Sequence, residues 1–381
     1  MDLTLPEDVQ ALRDAIRRFV ERELEPISER VEEEDRIPDE VVARMAEMGL
    51  FGLAIPEEYG GQGLSMLAQC VANAELSRTN ACFRTRVGTN NGIGAQGILI
   101  AGTEAQKRRF LPELASGRMT GAFALSEPNA GSDASRIQTT AVRRGDRFVL
   151  NGTKQFITNG VVAGVFTVLA VTDRAQGAKG ITAFLVERDF PGFTVGKLER
   201  KMGMRGSHTT ELAFDDCQVP AASVLGREGD GFRIAMQVLD RGRLVMASCA
   251  LGALERLVEL SVEQAKGRVT FGEPIANRQA IQWMLVNMEM DAYAIRQAVH
   301  HAAWKIDRGE RATKEAAMVK VLATEAANRA ADSAVQIHGG MGYMKGTAVE
   351  RFYRDLRLTR IYEGTSEILR MLVAREMLRS G

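Results

Sequence analysis

LPELASGRMTGAFALSEPNAGSD, residues 111–133, is where the chain changes its period. Ahead of it, Thr103-Glu104-Ala105-Gln106 has the spacing of a capping box and opens a helix expected to end near Gly117. After Met119 the helical rhythm stops, and Gly121–Leu125 reads as a short strand running into a polar loop. The chain switches period here instead of alternating strand with helix throughout, which argues against a parallel α/β sheet.

Working outward toward the N-terminus, Val41, Met45, Leu50 and Leu53 are roughly helically spaced, and Leu67, Val71, Ala74 and Leu76 repeat the rhythm. PEEYGGQG, rich in breakers, lies between them. In the other direction, Arg147–Leu150, Val165–Val171, Ile181–Val186 and Thr209–Phe214 are short and rich in β-branched or aromatic residues, with turns at Arg144-Gly145-Asp146 and Asn151-Gly152. After Gly231 helices return. One carries Leu251, Leu254 and Val258; others are expected over about 278–307 and 313–337, and EILRMLVAREML closes the chain. The expected architecture is α+β: an N-terminal helical domain (1–118), a central antiparallel β-domain (119–228) and a C-terminal four-helix bundle (229–381).

With 381 residues the chain suits two or three packed units, and its 45% hydrophobic and 26% charged residues are ordinary for a globular protein. Basic and acidic residues number 49 each, which disfavours nucleic acid or an anionic membrane as main partner. Cys70, Cys82, Cys217 and Cys249 are scattered, and only His300 and His301 adjoin, so no metal site is expected. The opening MDLTLPEDVQALRDAIRRFV has no apolar core, and no stretch is long and apolar enough to span a bilayer; a cytoplasmic location is the expectation.

Gly92-Ile-Gly-Ala-Gln-Gly97 matches GxGxxG, but no strand precedes it and no βαβ unit follows. Small residues allowing close helix packing account for it better. Phe123–Asp133 (FALSEPNAGSD) ends a strand in a loop whose amides and the Ser126 and Ser132 hydroxyls can face a polar ligand, or form a capped β-turn. In Lys154–Gly160 an aromatic, Phe156, stands close to Thr158, suited to stacking on a planar cofactor or to the core. QIHGGMG (336–342) follows a long helix, where glycines ordinarily stop it. Tyr362-Glu-Gly-Thr-Ser-Glu367 puts a carboxylate, a glycine and two hydroxyls in one turn; capping explains Thr365, Ser366 and Glu367 but not Glu363 against Gly364.

Taken in order, FALSEPNAGSD, NGTKQFITNG, KMGMRGSHTTEL, LDRGRLVMASCALG, GRVTFGEPI, QIHGGMGY and IYEGTSEILR resemble the signatures of acyl-CoA dehydrogenases, from residue 2 to about residue 377. The resemblance implies a helical N-domain, a β-domain and a C-terminal four-helix bundle. It implies FAD, held by Phe123, Leu125, Ser126, Ser132, Phe156 and Thr158, with Thr365 and Glu367 toward the adenosine. It implies that Arg268, Thr270, Phe271, Gln279, Gln336, Gly339 and Gly340 reach the FAD of a neighbouring subunit, in a homo-oligomer expected to be a tetramer. Ser132, Asp240, Arg243 and Gly364 would line the acyl-CoA site. Glu363 would be the base, removing the α-proton while hydride leaves the β-carbon for the flavin. The thioester oxygen would be held by the Glu363 amide and a flavin hydroxyl. The product would be a trans-2-enoyl-CoA, and electrons would pass to an electron-transfer flavoprotein, as in β-oxidation of fatty acids.

Some members of the family place the base at the position of Gly242; this chain has glycine there and glutamate at 363. Asn80–Thr85 (NACFRT) resembles the glutaryl-CoA dehydrogenase segment whose arginine pairs with the distal carboxylate of the substrate, which points Arg84 at a glutaryl- or substituted succinyl-type thioester. A surface or helix-end arginine is the plainer account, and the YEGTSE turn departs from the usual turn of the glutaryl enzymes. The same motifs are compatible with a carrier-protein-bound acyl substrate, with an acyl-CoA oxidase and with a non-catalytic scaffold.

Overall fold

The computed structural model describes residues 4–379. Residues 1–3 and 380–381, assigned above to the terminal domains, lie outside the described residues. Seven α-helices come first: α1 Glu7–Phe19, α2 Ser28–Glu34, α3 Asp39–Glu47, α4 Met66–Leu76, α5 Ala81–Asn91, α6 Gln96–Ala101 and α7 Glu104–Ala115. Helix α7 begins as its sequence dictates. The Thr103 hydroxyl accepts from the Gln106 amide, and the Gln106 side chain accepts from the Thr103 amide. It stops where Gly117 takes φ +76, a conformation only glycine adopts without strain.

The GxGxxG stretch joins two helices, α5 and α6, and no strand leads into it. A Cβ at Gly94 would come within 2.7 Å of the Thr89 carbonyl and 3.0 Å of the Gly121 backbone. The glycine therefore serves close packing of this helical corner against the first strand.

The strands are β1 Gly121–Ala124, β2 Thr140–Arg144, β3 Arg147–Thr158, β4 Val165–Val171, β5 Ile181–Glu187, β6 Phe193–Leu198, β7 Thr209–Pro220 and β8 Val224–Leu225. They form one sheet ordered β6-β7-β3-β2-β4-β5-β8, with β1 beside β4. Most pairs are antiparallel, but β1 runs parallel to β4 over its whole length and β2 meets β4 in parallel at Thr140 and Val171. The expectation of a purely antiparallel sheet is corrected there: a long connection separates β1 from β4, so no tight hairpin forces them antiparallel. β4 is buried at every residue, because the sheet is covered on both faces. The β3–β7 ladder slips between Lys154 and Ile157, leaving Gln155 and Phe156 off the register. Phe156 takes φ +60 at this bulge, and its ring is 61% exposed.

Two long helices follow the sheet, α8 Gly231–Gly267 and α9 Gln279–Asp307, and between them stands the small hairpin of β9 Val269–Thr270 and β10 Glu273–Pro274. After them come α10 Thr313–His338, the single turn α11 Gly340–Tyr343, α12 Ala348–Thr359 and α13 Ser366–Arg379. The four expected helices are present, and α12 is an addition. Its pattern is short but clear, with Val349, Phe352 and Leu356 buried on one face. Helix α10 packs against α8 through alanines, including Ala316, Ala323, Ala327 and Ala334, whose small side chains permit a close approach. No described helix is long and apolar enough to cross a membrane.

Candidate active site

A cavity of about 370 Å³ opens where the three groups of elements meet. Helices α4 and α5 contribute Gln69, Asn73, Arg84 and Gly88; the sheet contributes Phe123, Phe156 and Thr158, and the loop after β1 contributes Leu125, Ser126 and Ser132; α8 contributes Leu239, Gly242, Arg243 and Met246. Tyr362, Glu363 and Gly364 close it from the turn between α12 and α13.

The loop from the end of β1 is fixed by one buried ion pair. Lys154 on β3 donates to the Glu127 carboxylate at 2.7 Å and to the Leu125 carbonyl at 3.2 Å. Glu127 also accepts from the Thr139 amide and hydroxyl and from the Gln138 amide, so its charge is fully met. Burial pulls the Lys154 ammonium down to about 8, against the attraction of Glu127. The Gln155 amide donates to the Ser126 carbonyl at 2.9 Å, tying the loop to the bulge that turns Phe156 outward. The result is a rigid rim with one exposed ring and three hydroxyls, Ser126, Ser132 and Thr158, that make no hydrogen bond within the described residues. Such a rim, with a flat aromatic face and free hydroxyls and amides, fits a planar polar cofactor of the flavin type.

Glu363 borders the same cavity, half-buried as a residue, at φ +54 and followed by Gly364 at φ +97. Its Oε2 has no hydrogen-bond partner. Burial raises its proton affinity above the ordinary carboxylate range, while Arg84, Lys320 and Arg243 pull the other way. A Cβ at Gly242 would lie 2.4 Å from Glu363 Oε2. The glycine in α8 therefore leaves the volume that the carboxylate occupies. The Glu363 backbone N–H also finds no acceptor among the described residues, and it borders the same cavity.

Arg84 is buried, which sets aside the surface reading. It donates to the Tyr362 hydroxyl at 3.0 Å, and its Nε has no partner. Asp240, expected at the acyl-CoA site, is not among the residues that line this cavity. The i,i+3 spacing on α8 turns its carboxylate onto Arg243, and its second oxygen accepts from Thr313 at the start of α10. Asp240 thus holds Arg243, which does border the cavity. Thr365 caps α13 by accepting from the Ile368 amide, and Glu367 is exposed. Arg268, Thr270, Phe271, Gln279, Gln336, Gly339 and Gly340 do not line this cavity; they lie at or near the ends of α8, α9 and α10, with Phe271 96% exposed. Sequence reading missed Tyr362, Lys154 and Lys320. A lysine on the alanine face of α10 was the available signal for Lys320.

Models of the acyl-CoA dehydrogenase N-terminal, middle and C-terminal domains match residues 6–118, 122–217 and 229–378. The chain belongs to the acyl-CoA dehydrogenase family. An acyl-CoA dehydrogenase of Bacillus subtilis (strain 168) is 46% identical over 96% of this chain and 97% of its own length. The structure of butyryl-CoA dehydrogenase from Megasphaera elsdenii superposes with a TM-score of 0.96 at 41% identity, covering 100% of both chains. A glutaryl-CoA dehydrogenase in complex with glutaryl-CoA gives a TM-score of 0.96 at 34% identity, covering 100% of this chain and 98% of that one. Like other acyl-CoA dehydrogenases, the chain is a FAD-dependent oxidoreductase of acyl-CoA substrates with the helical, β and helical-bundle fold of the family.

Proposed function

We propose that this acyl-CoA dehydrogenase converts an acyl-CoA to its trans-2-enoyl thioester, with Glu363 as the base that takes the α-proton. The observation that carries the reading is a buried carboxylate facing the cavity with Oε2 unpartnered. A base in such a place has raised proton affinity and no competing donor, so its free lone pair is available to a carbon acid. The free Glu363 N–H supplies a donor for a thioester oxygen as charge develops there. Phe232, Met236 and Leu239 on α8 give the cavity apolar lining that disfavours water. FAD, when bound by the Phe123–Ser132 loop and by Phe156 and Thr158, supplies the hydride acceptor. Electrons then pass to an electron-transfer flavoprotein in the cytoplasm.

The residues assigned to a neighbour's FAD support a homotetramer in this reading, because Phe271, Trp283, Met341 and Tyr343 expose large apolar surfaces close to them along the chain. Functional units are taken as 1–118, 119–228 and 229–381. A second reading concerns the acyl group. The partnerless Nε of buried Arg84 favours a substrate with a distal carboxylate, of the glutaryl or substituted succinyl type.

Anaerobic mixing with acyl-CoA thioesters tests both. The flavin absorbance is expected to bleach with at least one thioester, and no bleaching across a broad panel would end the dehydrogenase reading. Faster bleaching by a dicarboxylic thioester than by butyryl- or hexanoyl-CoA is the outcome expected of Arg84; the reverse order removes that role.

A further inference from the structure

Helix α10 carries one lysine into the interior. Lys320 is 0% exposed and stands among Ala316, Ala317, Ala323 and Thr324, which are buried with it. Its ammonium donates to the Thr359 carbonyl at 2.6 Å and to the Gly364 carbonyl at 2.9 Å. Those carbonyls bracket the turn that leaves α12 and ends on the Glu363-Gly364 pair. Lys320 makes no direct ion pair among the described residues, and a buried cation with neutral partners alone is costly unless its charge serves something nearby.

The charges facing Lys320 are Glu363 from the turn, Arg243 from α8, Glu325 on α10 itself and Glu367 from α13. Most of these are answered elsewhere. Asp240 pairs with Arg243, Arg360 and Arg370 pair with Glu325, and Glu367 is exposed. Glu363 in turn faces Arg84 from α5, Lys320 and Arg243. Once Arg243 is discounted for its partner, Lys320 and Arg84 are the cations left to balance the Glu363 carboxylate.

We infer that Lys320 is a positioning residue for the base: it clamps both ends of the turn that presents Glu363 and keeps that carboxylate ionised. The inference rests on Glu363 being the base. Burial lowers the Lys320 ammonium to about 8, and Glu363 is the strongest influence holding it up. The coupling is mutual, so the ammonium lowers the proton affinity of Glu363 by the same interaction.

Lys320→Met removes the charge and both hydrogen bonds; Lys320→Arg keeps the charge. In FAD-loaded Lys320→Met the acid limb of kcat/KM is expected to move up by roughly one pH unit, because the carboxylate holds its proton more tightly. Lys320→Arg is expected to leave the limb near its wild-type position. A packing role alone would lower Tm without moving the limb, so an unmoved limb in folded Lys320→Met overturns the inference. A second measurement needs no Lys320 variant. In wild-type holoprotein carrying 13C in the glutamate carboxyl carbons, the Glu363 signal is the one lost in Glu363→Gln. Its titration is expected to show a second, smaller step near 8, where Lys320 gives up its proton. A single-step curve overturns the inference. This measurement follows the Glu363 proton without turnover, whereas failure of the base reading shows separately as turnover that survives in Glu363→Gln.

Discussion

Glu363→Gln is expected to fold, to hold FAD and acyl-CoA, and to lose about 10²–10⁴-fold in kcat. The amide has nearly the size of the carboxylate, so it fits the space left by Gly242 and keeps the cavity intact. What it lacks is basicity. Turnover within a few-fold of wild type would remove Glu363 from the chemistry. In the wild-type enzyme the same group predicts the pH profile. Burial raises its proton affinity, and the reaction needs it unprotonated, so kcat/KM falls as pH drops through a value above the usual carboxylate range. A limb at the position of an exposed glutamate would contradict the buried site.

Gly242→Ala is expected to separate stability from activity. In a helix interior alanine is favoured over glycine by about 1 kcal/mol, so α8 alone would gain. The new methyl, however, meets Glu363 Oε2 at 2.4 Å. The obstacle is the end of a flexible side chain, so the protein folds and the carboxylate moves aside. Displacement of a reacting group by about 1 Å can cost about 10²-fold. We expect kcat to fall by roughly that factor while Tm holds or rises. Unchanged kcat would mean that the carboxylate does not use this volume during the reaction.

Much of the fold was legible in the sequence because its signals are local. The Thr103 capping box, the change of period at Met119 and the helical stretches after Gly231 each depend on neighbours in the chain. The parallel entry of β1 beside β4 was not legible, since it depends on which distant strand takes the edge. Helix α12 was overlooked because a glycine-rich stretch and the YEGTSE turn on either side drew attention from its short apolar face. At the site, the sequence motifs single out residues that meet in space, though not what each does there. Glu363, Phe156 and the Ser126–Ser132 loop come together around one cavity. For Asp240 the motif gives a position along the helix but not the partner that its carboxylate meets, here Arg243. Lys154 and Lys320 were missed because both act through backbone carbonyls, and Lys154 also through Glu127, contacts that exist only after folding.

The left-handed backbone at Glu363 couples the strain of its turn to the charges packed around it. A non-glycine residue there costs roughly 1–3 kcal/mol, and its partnerless carboxylate adds a desolvation penalty. Glycine at 363 would relieve both, but it would also leave the buried Lys320 and Arg84 without the carboxylate that balances them, so the relief of the backbone is offset. Glutamate at 363 therefore ties a strained turn to the charge of two buried cations, so the backbone and the electrostatics of this corner cannot be changed one without the other.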